Sequence, residues 1–250
     1  MVKLLVFGKG GSGKSTLTAL IAGNLARRGF RVLVVDCDES NMTLHRMLGI
    51  NTPRKTLVEY LGGRKKVSRA LFRGEGSIDW GMLGTTITSL PKQCVEWSGR
   101  IGLLTIGKIT GYQEGCACPL QALAREFLGK ISLGECEAIV VDTDAGVEHF
   151  GRGLEEACNP LLMIVDPTYE SIVLAGKASE MASKAGKKLY YVLNKVDDTT
   201  TKIIKSKIGE DKIIAVLPYY SELVELCLEG KPIIDFPVNL DNLVSKIISF

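Results

Sequence analysis

Seven short runs of this chain are apolar through their interiors: KLLVFG (3–8), RVLVVD (31–36), IGLLTI (101–106), AIVVDT (138–143), LLMIVD (161–166), KLYYVLN (188–194) and KIIAVLP (212–218). A strand with one wet face alternates apolar and polar side chains, so a strand that fails to alternate is covered on both faces. Such strands, separated by stretches with helical spacing, belong in a mostly parallel sheet with helices on either side. The expected fold class is therefore a doubly wound α/β domain.

The 250 residues are 46% apolar, enough to bury one sizeable core, and no repeat, low-complexity tract or linker divides them. One domain over residues 1–250 is expected. Between the first two runs, TLTALIAGNLARRG (16–29) has apolar residues at helical spacing and ends at Gly29, a residue suited to a helix C-cap. Residues 52–100 are the least regular: TLVEYLGG and VSRALFRG read as short helices and GSIDWGMLGTTITSLPKQ as loop or hairpin, together a cap over one sheet edge. The C-terminal LDNLVSKIISF is amphipathic, but Lys246 is its only basic residue, which favours docking on the sheet over docking on a membrane.

Charge and cysteine content remove several classes. With 31 basic against 28 acidic residues, a net charge of +3 and no dense basic stripe, nucleic acid is not an expected partner. The compact basic run Arg64-Lys65-Lys66 reads as a solvated helix end. Seven cysteines, an odd number in a chain too large to need a disulfide framework, favour a reducing cytoplasmic compartment. No run approaches the ~20 apolar residues of a membrane span. With a strand expected from Val2 there is no room for a signal peptide.

The chemistry begins at GKGGSGKST (8–16), where Gly8-x4-Gly13-Lys14-Ser15 follows one expected strand and opens one expected helix. Glycines let backbone N–H groups close on phosphate, and the helix N-terminus supplies partial positive charge. Lys14 is expected to pair with β and γ phosphates and the Ser15 hydroxyl to ligate Mg²⁺, with Gly10, Gly11, Ser12 and Thr16 completing the cradle. Hydrolysis also needs groups that hold metal and orient water. Asp142 ends AIVVD, where its carboxylate can reach the Mg²⁺ shell, and Gly146 follows as the hinge of a phosphate-sensing loop. Asp36 and Asp38 end the second run. In extended chain they share a face, so both can look toward the phosphates, with Asp38 assigned to water positioning and helix N-capping as the alternative.

The second lysine of the loop, Lys9, is not required to cradle phosphate. KGGSGKST, with that extra lysine, resembles the deviant Walker A of P-loop NTPases of the MinD/ParA, nitrogenase iron protein and arsenite or tail-anchored-protein ATPase families. The resemblance implies that Lys9 reaches across a homodimer to the partner's nucleotide, making ATP part of the interface. It also implies a base site. NKVD (194–197) has the form of a guanine-reading motif, but in those families the asparagine alone, here Asn194 with Lys195 beside it, faces adenine, and LPYYSELVE, from Pro218, resembles their adenine loop. ATP/ADP is the expected nucleotide.

The cargo must come from elsewhere. GCACPL sets Cys116 and Cys118 two apart in a turn-prone context. They are either two ordinary buried thiols or half of a tetrahedral soft-metal site that a symmetric dimer completes with four sulfurs. DTDAGVEHFGRG (142–153) adds Glu148 and His149 where nucleotide state should move the chain. Taken together, these stretches resemble, nearly end to end, the CooC-type accessory ATPases that supply nickel to carbon monoxide dehydrogenase and acetyl-CoA synthase. The resemblance implies Ni²⁺ or Zn²⁺ at Cys116 and Cys118 between subunits and a nickel-enzyme client. Asp144 stands where that pattern would lead one to expect Glu. Two other readings are a MinD/ParA-like positioning ATPase and an iron-sulfur carrier or reductase, the latter cramped by the CxC spacing.

Overall fold

Each of the first six apolar runs is a strand whose odd and even residues face two different cores, whereas the seventh lies at the sheet's edge with Val216 exposed. In the computed structural model, which describes residues 1–108, 118–147 and 153–249, the first strand β1 (Val2–Gly8) sends Leu5 and Phe7 into one apolar layer and Val2, Leu4 and Val6 into the other. β2 (Arg31–Asp36) divides likewise, Leu33 and Val35 against Val32 and Val34. This is the physical reason the runs do not alternate in polarity.

The remaining strands are β3 (Val95–Ser98), β4 (Ile101–Thr105), β5 (Glu137–Asp142), β6 (Leu161–Val165), β7 (Leu189–Asn194) and β8 (Ile213–Leu217). Their order in the eight-stranded sheet is β3-β4-β2-β5-β1-β6-β7-β8. Every neighbouring pair is parallel except β3 and β4. The helices are α1 (Lys14–Arg27), α2 (Leu44–Leu48), α3 (Leu57–Tyr60), α4 (Arg64–Phe72), α5 (Cys118–Lys130), α6 (Tyr169–Lys184), α7 (Asp198–Ile208), α8 (Ser221–Leu228) and α9 (Asp241–Ile248). One layer is closed by α3 to α7, with Leu123 and Phe127 of α5 and Ala175 and Ala178 of α6 buried in it; the other by α1, α2 and α9, through Leu17, Leu20, Leu44 and Leu243.

Parallel pairing has one consequence that matters for function: the carboxyl ends of all the parallel strands line one edge. Asp36 stands opposite Asp142, Gly8 opposite Ile164 and Asn194 opposite Leu217. Gly29 takes φ +91° and its N–H reaches the Ala26 carbonyl, closing α1 as the sequence predicts.

The stretch 76–93, loop or hairpin by its sequence, is loop. It makes a 3₁₀ turn at Trp80–Leu83, an isolated bridge from Thr86 to Ser132, and buries Leu83, Ile87, Leu90 and, just past its end, Cys94 in the α5 layer. The hairpin lies further on, where β3 returns antiparallel to β4 and forms the sheet's edge. At the other end of the chain α9 buries Leu243, Val244 and Ile247, and Asp241 at its start pairs with Arg28 at the end of α1. No helix among the described residues is long and apolar enough to cross a membrane.

Candidate nucleotide site

Between β1 and α1 the chain turns through Gly11 (φ +79°) and Gly13 (φ +100°). Gly13 has no room for a side chain, since a Cβ there would stand 2.4 Å from Asn194 Nδ2. Asn194, at the end of β7, donates from that nitrogen to the Ser12 carbonyl at 2.8 Å, and Lys195 donates from Nζ to the Gly11 carbonyl at 2.9 Å. Both residues brace the loop from outside. Lys14 opens α1 almost fully buried and its Nζ points back across the loop, 3.4 Å from the Lys9 carbonyl. Ser12 Oγ is buried with no hydrogen-bond partner in the structure, the kind of orphan that a ligand resolves.

The metal-facing side forms a polar knot. Ser15 Oγ donates to Asp142 Oδ2 at 2.6 Å and Thr18 Oγ1 to Asp142 Oδ1 at 3.3 Å. Asn41 Nδ2 reaches Ser15 Oγ at 2.8 Å and Asp142 Oδ2 at 3.4 Å. Asp142 is completely buried, and loss of hydration pushes its pKa up to about 6 against the pull of the Ser15 hydrogen bond. A buried carboxylate with a serine hydroxyl against it is a hard-oxygen pair that fits Mg²⁺, whose charge would relieve the burial cost.

Asp36 and Asp38 take different positions. Asp36 is buried, its Oδ2 held by Lys108 Nζ at 2.7 Å while its Oδ1 has no hydrogen-bond partner, and burial raises its pKa to about 7 despite that pairing. The ammonium of Lys108 closes over it, and it stands beside Asp142 in the sheet. Asp38 is half-exposed and accepts at Oδ1 from the Ser40 N–H (2.9 Å) and Ser40 hydroxyl (2.6 Å), a turn-shaping role and not a helix cap. Lys108 spends its remaining protons on the carbonyls of Asp38 and Asn41. Lys9 folds onto its own chain, 3.6 Å from Asp166 Oδ2 at the end of β6. Asp197 caps α7, its Oδ1 accepting from the Thr200 N–H at 2.7 Å. Pro218 follows β8, with Tyr219 exposed beside it.

A family model described as the CobQ/CobB/MinD/ParA nucleotide binding domain matches residues 4–233. The chain belongs to this family. Among relatives of the CobQ/CobB/MinD/ParA domain, an uncharacterised ATP-binding protein of Methanocaldococcus jannaschii is 46% identical over 92% of this chain and 93% of its own length. The carbon monoxide dehydrogenase accessory protein CooC of Rhodospirillum rubrum is 33% identical over 78% of this chain and 74% of its own. The cell division ATPase MinD of Pyrococcus furiosus has the same fold, with a TM-score of 0.68 at 20% identity, covering 100% of this chain and 99% of that one.

Within the family frame, the structure brings Gly8 to Thr16, Asp142, Asn194 and Lys195 together at the carboxyl edge, with Asp38 alongside. Cys118 is the first residue of α5, reached from the same edge after β4. Cys116, Glu148 and His149 lie outside the described residues. Sequence reasoning missed Thr18, Asn41, Lys108 and Asp166. Asp166 carried a readable signal, since it ends an apolar run just as Asp36 and Asp142 do; the others sit in helix or loop, where no periodicity marks them.

Proposed function

We propose that this protein is an ATP-dependent metallochaperone: a nucleotide-driven homodimer that holds Ni²⁺, or Zn²⁺, between the Cys116 and Cys118 pairs of two copies and assists nickel insertion into a client such as carbon monoxide dehydrogenase or acetyl-CoA synthase. The observation that carries the reading is the position of Cys118. β4 ends on the carboxyl edge and α5 opens with Cys118, one turn before Gln121, whose Nε2 donates at 2.9 Å to Asp144 in the loop after β5. Similarity to CooC supports the same cargo.

In this mechanism Lys14 and the loop amides hold the β and γ phosphates, and Ser15 and Asp142 hold Mg²⁺, which supplies charge neutralisation for the departing phosphate. Asp38 orients the attacking water. Lys9 leaves Asp166 and reaches the partner's phosphates, so that ATP closes the dimer and hydrolysis reopens it. Metal and nucleotide then favour one another by linkage.

The test is anaerobic titration of Ni²⁺ and Zn²⁺ into wild type and Cys116→Ser/Cys118→Ser, with and without ADP or ATP, reading metal per chain and particle mass together. The expected result is one metal per two chains, absent from the double variant and accompanied by dimerisation. Metal binding that is missing, or indifferent to the substitution, leaves a dimeric switch without cargo; a brown protein with stoichiometric iron replaces nickel with a cluster.

A further inference from the structure

The basic run Arg64-Lys65-Lys66 is the first turn of α4, and the helix continues it with Arg69, followed at its end by Arg73. At about 3.6 residues per turn, Lys65, Arg69 and Phe72 stand at i, i+4 and i+7, and Lys66, Arg69 and Arg73 at i, i+3 and i+7, so the five share one face. That face is turned to solvent: all five residues are exposed, Phe72 at 57%. On the opposite face, Val67 and Leu71 pack into the apolar layer that α5 fills.

Among the described residues nothing answers these charges. None of Lys65, Lys66, Arg69 and Arg73 forms an ion pair or a side-chain hydrogen bond there. The acids nearest in sequence are engaged elsewhere or lie apart. Glu59 closes on Thr56, Asp79 accepts from the Gly81 N–H, and Glu75 is exposed past the end of the helix.

The arrangement also works against the helix itself. Cations at a helix N-terminus oppose its dipole, and like charges three or four residues apart repel. α4 has no acid in its first turn, and Gly63 before it offers no side-chain cap. Elsewhere the chain builds helices the favourable way round: α7 is capped by Asp197, opens on Asp198 and closes with Lys205 and Lys207, and α9 opens on Asp241 and closes with Lys246. Local stability does not account for the composition of α4, whereas a partner that supplies the anions does.

We propose that this face of α4 is a docking surface for an acidic segment of a partner protein, whose carboxylates take Lys65, Lys66, Arg69 and Arg73 and whose apolar side chains cover Phe72. Arg and Phe are the kinds of residue enriched in the buried centre of protein interfaces. Nucleic acid fits less well, because a protein held strongly by charge makes about six to ten phosphate contacts and this face is a single helix about 14 Å long. A membrane fits less well because the apolar stripe that a bilayer would receive, Val67 with Leu71, is turned inward. The surface is independent of the metal-carrier reading.

The experiment follows, by fluorescence anisotropy at about 0.05 M and 0.3 M salt, binding of the whole chain to a labelled peptide of glutamate with leucine at every fourth position. A DNA duplex and phosphatidylglycerol vesicles are tested beside it. The variants are Lys65→Glu/Lys66→Glu, Phe72→Ala, and the control Lys202→Glu/Lys207→Glu, whose lysines are exposed on α7. Lys65→Glu/Lys66→Glu places acids at the helix start and is expected to melt no lower than wild type, while weakening peptide binding about tenfold or more at the lower salt. Phe72→Ala is expected to weaken it about three- to tenfold at both salts, and the control by less than about twofold. If Lys65→Glu/Lys66→Glu fails to fold, Phe72→Ala against the control still decides. Equal weakening in the control would show diffuse charge and overturn the surface, as would a peptide that does not bind. Duplex or vesicles bound more tightly than peptide, and lost in Lys65→Glu/Lys66→Glu, would overturn the acidic partner and give the face to that polyanion.

Discussion

Asp36 shows how one residue can be costly and retained. Its carboxyl stands beside Lys108 yet titrates at about 7, because burial outweighs the pairing and the nearby Asp142 and Asp38 add repulsion. A carboxyl whose folded pKa lies above its unfolded value costs nothing below about pH 4, where both states are protonated. The cost grows as pH rises through that interval and is complete above the folded value. Stability should therefore fall between pH 4 and 7 through this group. Asp36→Asn should flatten that limb in denaturant titrations across pH, and an unchanged slope would show that another group sets it. The spacing of Asp36 and Asp38 was legible in the sequence, but their division of labour was not, since it depends on Lys108 arriving from β4, seventy-two positions away.

At the scale of elements, the sequence announced strands more clearly than their surroundings. Runs covered on both faces are visible because burial leaves no polar residue to break them, and β2 has the bounds that its apolar run suggests. β3 was missed because VEWS is half-exposed on an edge and breaks its apolar pattern with Glu96. Its Trp97 lies against Gly102 and under the Arg31 guanidinium at 5.0 Å, contacts no local pattern encodes. The C-terminal helix was legible from its amphipathic period. Leu243, Val244 and Ile247 of α9 are fully buried against the α1 layer. Leu243→Ala should cost about 2–4 kcal/mol in chemical denaturation while leaving nucleotide affinity unchanged. A loss of nucleotide binding without loss of stability would instead give α9 a part in the site.

For the whole molecule, the contact to watch is Lys9 with Asp166. A lysine held 3.6 Å from a carboxylate of its own chain must break that pairing before it can serve a second subunit. Lys9→Ala should bind nucleotide as a monomer and fail to dimerise with ATP. Asp166→Asn should dimerise at about three- to tenfold lower ATP analogue concentration, the scale of an ion pair worth about 1 kcal/mol. Mass measurement across a nucleotide titration checks both, and an Asp166→Asn midpoint equal to wild type would remove Asp166 from the switch.

The division of the central strands between two apolar layers also bears on how such a chain can change length. Deleting one residue within β1 would exchange Leu4 and Val6 for Leu5 and Phe7, swapping the contents of two cores of different shape in one step. Single-residue insertions and deletions in the central strands are thereby barred, and relatives of different length must absorb the difference in the connections. Of those connections, the one between β1 and α1 is the phosphate loop, which Asn194 and Lys195 brace from outside, so it has no slack to take up a change of length.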